Sequence, residues 1–349
     1  MPRVVATSEK LARHRAFWTR ADTDRPMIGA TIATFPSVSA VRADGILRPD
    51  DLDVQVNVRE LEAEWEARRD VSGDALWVAN PLWAFPWHLA LAGCPIQRDD
   101  ENLWGLPCID DWDQLDTIKF DVNNPWFRKL AECIDALVTS SRGRYPIGVG
   151  QLMLGPVDMM MQARGQERLA VDLYDAPEMV RALGARCTQL VVDATRAQAA
   201  LTPRCEGGYA GTIRYLWAPD LLVESAEDIA FMMSPSLHRQ FVAPMHAALG
   251  REFSHAIVHL HSAQLHTVPS LLEVSEVAAI QVTPDFGEDM LKYLPILASI
   301  LDRKPLIIHG LVPLDAAKEL LRRLPSRGFA LFLRCDTPEE AGQALDALA

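Results

Sequence analysis

Nine histidines are spread over the chain, and three of them fall within IVHLHSAQLH, the ten residues from Ile257 to His266. The apolar, β-branched run leading into HLH reads as a buried strand, and on a strand residues i and i+2 share a face. His259 and His261 therefore project together from the C-terminal end of that strand, where two neutral imidazoles can chelate a first-row metal. The same pair also reads as one hydrogen-bonded core histidine and one loop cap, because H-x-H fixes no spacing to further ligands. Cys335 ends a second apolar strand, GFALFLRC, before DTPEEAGQALDAL. That run offers Asp336 or Thr337 as a helix cap, Pro338 for the first turn and two acids for the dipole. With His259 and His261 the cysteine makes a His2Cys set, three ligands that leave tetrahedral zinc an open position; the alternative is an ordinary buried thiol.

Other groups could share the chemistry. His309, in KPLIIHGLVP, is a substitute ligand or a general base near neutral pH, or else a core histidine bonded to a carbonyl. Asp220 and Glu224, in WAPDLLVESAEDIAFM, follow a strand candidate. Either carboxylate could supply a fourth ligand or hold a cationic substrate group, and either could simply cap a helix. The segment ALWVANPLWAFPWHLALAG gathers Trp77, Trp83, Phe85, Trp87 and His88, and its prolines exclude one regular helix. Such aromatics either wall a ligand site over a barrel mouth or plug the barrel end.

These residues need elements to position them. Short apolar runs (RPMIGATI, DALWVAN, YPIGVGQLM, RCEGGYA to TIRYLW, AIVHLH, VAAIQVTP, KPLIIHGL and GFALFLRC) alternate with amphipathic helical stretches. About eight βα units predict a closed (β/α)8 TIM barrel with long βα loops: an α/β fold in one domain over 1–349, residues 1–24 forming an N-terminal helical extension. A doubly wound open sheet is the alternative, but no G-x-G-x-x-G follows the first strand. In a barrel, function sits at the C-terminal ends of the strands. That rule selects Asn80, Gln151, Trp217 to Asp220, His259, His261, Gln281, His309 and Cys335. Asn80, Gln151, Trp217 and Gln281, with Trp83 and Trp87 of the aromatic loop, are assigned to a small-molecule substrate.

Composition narrows the partners. Forty-seven acidic against thirty-four basic side chains give a formal charge of −13, and the basic residues are scattered. Nucleic acid and anionic membrane are therefore not expected partners. No stretch approaches the eighteen or so apolar residues of a membrane span, and MPRVVATSEKLARHRAFW lacks the apolar core of a signal peptide, so a cytoplasmic protein is expected. Six cysteines without a CxxC pair predict reduced thiols rather than a disulfide framework.

Two longer runs carry a resemblance. GPVDMMMQARGQERLAVDLYDAPEMVRAL, from Gly155, and VESAEDIAFMMSPSLHRQFVAPMHAAL, from Val223, followed by the histidine strand, resemble the uroporphyrinogen decarboxylase-like superfamily. The resemblance runs from about Arg25 to the C-terminus and is strongest from Gly155 onward. It implies a (β/α)8 barrel and one of two chemistries: cofactor-free decarboxylation of porphyrinogen acetates, or zinc-dependent methyl transfer from a methylated corrinoid to a thiol. The decarboxylases carry an R-Q-A-G-R type motif near the N-terminus for binding many carboxylates, whereas this chain has DRPMIGATIATFPSVSA there. The methyltransferases carry an H-x-C pair on a strand and a distal Cys before the final helix. His259, His261 and Cys335 are similar to that set except at the middle ligand, where His replaces Cys. With fewer thiolates the zinc is more Lewis acidic, which opens the acceptor to water or an alkoxide as well as a thiol.

The expectation is thus a zinc-dependent methyltransferase that takes a methyl group from a corrinoid protein or small donor. His259, His261 and Cys335 hold the metal, and His309, Asp220 and Glu224 serve catalysis. A homodimer is the further association considered. The alternatives are a metal-free decarboxylase or lyase acting on a small carboxylated substrate, and a non-catalytic ligand-binding barrel.

Overall fold

The computed structural model of the chain describes residues 7–32, 40–69, 71, 73–82, 85–99, 102–150, 154–211 and 215–348. Its strands are β1 Met27–Ile32, β2 Gly45–Ile46, β3 Ile96–Arg98, β4 Leu103–Gly105, β5 Gly148–Val149 and β6 Tyr209–Gly211. They continue with β7 Trp217–Ala218, β8 Leu222–Ala226, β9 His255–His261, β10 Ala279–Thr283, β11 Leu306–Gly310 and β12 Phe329–Cys335. The central sheet has six strands in the order β1-β12-β11-β10-β9-β8, every neighbouring pair parallel. From β8 to β12 each crossover carries a helix, Ala243–Glu252, Val268–Leu272, Leu294–Arg303 and Leu314–Arg323 in turn, as parallel pairing requires. In the helix at 294–303, Leu294, Leu297, Ile300 and Leu301 recur at helical spacing and are buried. Its next residue, Lys304, spends its ammonium on the carbonyls of Val274 and Val277, at 2.8 and 2.7 Å.

Strand alternation divides the core into two layers. Val258, Leu260, Ile280, Val282, Ile308, Leu331 and Leu333 pack against the helices. Ile257, Ala279, Ile307, Ala330 and Phe332 point to the opposite face, where they meet Leu222 and Leu216. Full burial of each Val, Leu, Ile or Phe among them is worth roughly 1.5–3 kcal/mol, so both layers pin the register.

The continuous ladder among the described residues has six strands, against the eight expected. Backbone hydrogen bonds extend from both of its edges. The Asp74 N–H reaches Ile28 O beside β1 (2.8 Å), and the Glu224 N–H of β8 reaches Gly150 O (3.2 Å). Between the two segments so reached, the Ala79 N–H donates to Pro146 O and the Gly148 N–H to Ala79 O. The stretch expected as one strand ending at Trp217 is instead the antiparallel pair β6 and β7, and the parallel strand is β8.

The N-terminal helix, Thr7–Thr19, packs beside β1 and β7. Trp18 Nε1 donates to Trp217 O (2.8 Å), and the Trp217 N–H donates to His14 Nδ1 (3.0 Å). Cys94 and Cys108, expected as free thiols, form a disulfide with a Cα–Cα distance of 5.0 Å; Cys133, Cys187, Cys205 and Cys335 are free. The chain brings the bonded pair together because the turn after the helix at 87–91 meets the segment whose Cys108 N–H donates to Ala163 O (2.8 Å), a contact no local spacing announces. No helix among the described residues is long and apolar enough to cross a membrane.

Candidate metal centre

β9 alternates as its sequence predicts, so Ile257, His259 and His261 share the face away from the helices. The two imidazoles meet edge to face, with ring centroids 5.0 Å apart. The far nitrogen of each ring is held. His259 Nδ1 hydrogen-bonds Gln281 Oε1 of the neighbouring strand, and the Gln281 amide donates to Thr283 Oγ1 (3.0 Å). His261 Nδ1 donates to Asp285 Oδ1 (2.9 Å), whose other oxygen accepts from Ser262 Oγ (2.6 Å) and the Ala263 N–H (2.9 Å). Partial burial works to raise Asp285, but these hydrogen bonds and His261 hold it below the usual carboxylate range. With both Nδ1 atoms engaged, both Nε2 atoms present lone pairs, and each lies 4.0 Å from Asp228 Oδ1.

Asp228, His259 and His261 therefore offer three ligand atoms within 4.8 Å of one another. Asp228 is the exposed member of the set, so its side chain has room to close on the two imidazoles. Two neutral imidazoles and one carboxylate, with outer partners on both imidazoles, are a donor set that zinc accepts with a position open.

Asp228 comes from the turn after β8, and several contacts fix that turn. Gly155 lies so close to β8 that an added Cβ would stand 2.1 Å from Ala226 O, and its N–H donates to that same oxygen (3.1 Å). Three residues on, buried Asp158 accepts the N–H groups of Asp228 (3.1 Å) and Ile229 (3.2 Å). Burial and then the charge of Asp228 push Asp158 up to about 8, against those two donors.

Cys335 does not join the histidines. On β12, Ala330 and Phe332 face the same side as Ile257, and Leu331 and Leu333 face the helices. Cys335 continues the second series and is buried in the sheet–helix layer, and its thiol is pushed up to about 11, first by burial and then by Glu340 and Asp336. The one-residue alternation that brings His259 and His261 together thus turns Cys335 away and gives the site face to Arg334.

The remaining expected residues scatter. His309 lies on the site face but is held by Thr31 Oγ1 (2.8 Å) beside the rings of Tyr215 and Phe332. Glu224 is buried on the same face, two residues before Ala226, which is the register partner of His259. Gln281 supports His259, a role different from the expected substrate contact. Asn80 is buried beside the Ala79–Ile147 bridge. Asp220 is exposed at the opposite end of the sheet, before β8 and near His255 at the start of β9. Trp217 is buried at that end too, with its indole N–H on Cys205 O (2.8 Å) and the Arg15 guanidinium over its ring. A strand running through TIRYLW would put both at the functional end, but the parallel strand is β8, which starts after them. Trp87 is buried in the core against Phe85, its N–H on Pro81 O (2.9 Å), so it walls no mouth. Trp83 and Gln151 lie outside the described residues.

Asp228 and Asp285 were missed, although both stand in stretches the sequence offered, ESAED and TPDFG. The available signal was that each immediately follows a parallel strand neighbouring HLH.

No protein-family model matches the chain, and no curated protein matches it. Among solved structures, the chain is similar to a methyltransferase from Methanosarcina mazei. The TM-score is 0.66 at 14% identity, over 97% of this chain and 96% of the other, which establishes a shared fold.

Proposed function

We propose that this chain is a zinc-dependent methyltransferase on a closed (β/α)8 barrel, with His259, His261 and Asp228 as the metal ligands. The observation that carries the proposal is the histidine pair: both Nδ1 atoms are tied down by Gln281 and Asp285, and both Nε2 atoms face one carboxylate. Carboxylate and amide partners of this kind orient metal-binding imidazoles and raise their basicity. The hydrogen bonds from both edges of the six-stranded sheet support barrel closure, and the fold shared with a methyltransferase supports the reaction class.

When bound, zinc supplies the Lewis acidity that holds an acceptor thiol or hydroxyl as its anion. The residues around it set the rest. His259, His261 and Asp228 would hold the ion, Asp285 holds the tautomer of His261, and Glu224 is buried on the same face of the sheet. Phe231 and Met232 after β8, Phe286 after β10, and Leu311 and Leu314 after β11 are exposed in the segments that follow the strands at this end of the sheet. An apolar rim of that kind suits a bulky donor, either a methylated corrinoid carried by a partner protein or a small methylated molecule.

The test is metal content of tag-free protein by mass spectrometry, wild type beside His261→Ala. About one zinc per chain, lost in the variant, is expected for a three-ligand site. Absence of metal from wild-type protein supplied with zinc overturns the reading.

A further inference from the structure

Glu227 precedes the ligand Asp228, and its carboxylate points the other way into the protein, where it is fully buried. Two imidazoles clamp it: His246 Nε2 lies 2.6 Å from Oε2, and His238 Nε2 lies 3.2 Å from each oxygen. His238 belongs to a π-helical turn, His238–Val242, and its Nδ1 is held by Ser270 Oγ. Such turns mark places where a helix is distorted to aim a side chain. The backbone is secured as well. Gln264 Nε2 donates to Glu227 O (2.6 Å), and Gln264 Oε1 accepts the N–H of His261 (2.6 Å). One glutamine thus joins the chain that carries Asp228 to the chain that carries His261.

We propose that Glu227 is a positioning residue for the metal centre: clamped by His238 and His246, it fixes the turn that aims Asp228 at His259 and His261. The inference rests on the metal reading above. The Glu227 cluster has metal-binding side-chain types of its own, three among the described residues. The Nε2 atoms of both rings, however, already stand at hydrogen-bond distance from the carboxylate, and a closed zinc site uses four ligands. It is therefore an anchor.

The experiment is a cobalt(II) titration followed by visible absorption, which reports ligand geometry, on wild type, Glu227→Gln, Ser270→Ala, His261→Ala and Leu297→Ala, with circular dichroism as the fold check. Leu297 is a buried helix residue in the sheet–helix layer, on the other side of the sheet from the histidine face, and controls for simple destabilisation. Expected are a wild-type spectrum with Leu297→Ala, a shifted band with affinity about 10- to 100-fold weaker for folded Glu227→Gln, and a smaller loss for Ser270→Ala. Wild-type affinity and spectrum in folded Glu227→Gln overturn the inference while leaving the metal reading intact. If Glu227→Gln does not fold, an unaltered spectrum in Ser270→Ala overturns it. Cobalt binding that His261→Ala does not weaken overturns the metal reading, and the inference with it. Two cobalt ions per chain, of which Glu227→Gln removes one and His261→Ala the other, overturn the inference and leave the metal reading intact.

Discussion

At the scale of single residues, the site is decided by which side of a strand a side chain takes. HLH was legible because period-two alternation is a local property: once β9 is a strand, His259 and His261 must face together. Cys335 was not legible in the same way, since its face depends on counting along FALFLRC from a core residue whose side only the assembled sheet defines. The count puts it with Leu331 and Leu333 against the helices. Cys335→Ala is accordingly expected to keep the full metal content of the wild type and to lose about 1 kcal/mol of stability, the ordinary cost of trimming a buried side chain. Metal analysis beside urea denaturation checks it, and loss of the metal would return the thiol to the ligand set.

At the scale of elements, the parallel strands from β9 to β12 stood out because their cores are continuous apolar runs (AIV, LII, FALFL), as strands buried on both faces must be. β8 hid itself. Its sequence LVESA carries Glu224 and Ser225, whereas the nearby TIRYLW is aromatic and β-branched, so the sequence alone points to the wrong strand and to Asp220 rather than Asp228 as the residue after it. What defines the end of β8 is a glycine contact: Gly155 packs against Ala226 with no room for a methyl group. Gly155→Ala must push the start of the helix at 156–164 away from β8, and with it the Asp158 carboxylate that caps the Asp228 turn. A loss of roughly 3 kcal/mol or more, typical of forced backbone clashes, is expected in denaturant unfolding, together with weaker metal binding in the protein that remains folded. A variant as stable as wild type would show that the two segments are not held so closely.

At the scale of the whole molecule, the N-terminal helix packs at the end of the sheet opposite the candidate metal centre, and that packing depends on an uncharged histidine. The Trp217 N–H donates to His14 Nδ1, so the His14 Nε2–H donates to Asp74 O (2.9 Å), and the neutral ring satisfies both neighbours. Burial depresses His14 to about 4, outweighing its hydrogen bonds and the Asp74 charge, and burial depresses His88 to about 3. In the unfolded chain both return to about 6.5. Between that value and the folded one the unfolded state binds the extra proton, so the stability each neutral histidine contributes is complete above about pH 6.5 and is lost as pH falls toward the folded value. Each such group gives a slope of about 1.4 kcal/mol per pH unit within its window. Asp158, pushed up to about 8, keeps its proton in the folded protein over the same range and gives a slope of opposite sign, so urea unfolding at pH 6 and 5 is expected to show stability falling by the slopes of the two histidines less that of Asp158. His14→Gln, whose amide can accept from Trp217 and donate to Asp74, is expected to be less stable at pH 7 but to lose about one proton's worth of the slope. An unchanged slope in that variant would mean that His14 takes up its proton in the folded protein, and that the helix is held at this end of the sheet in some other way.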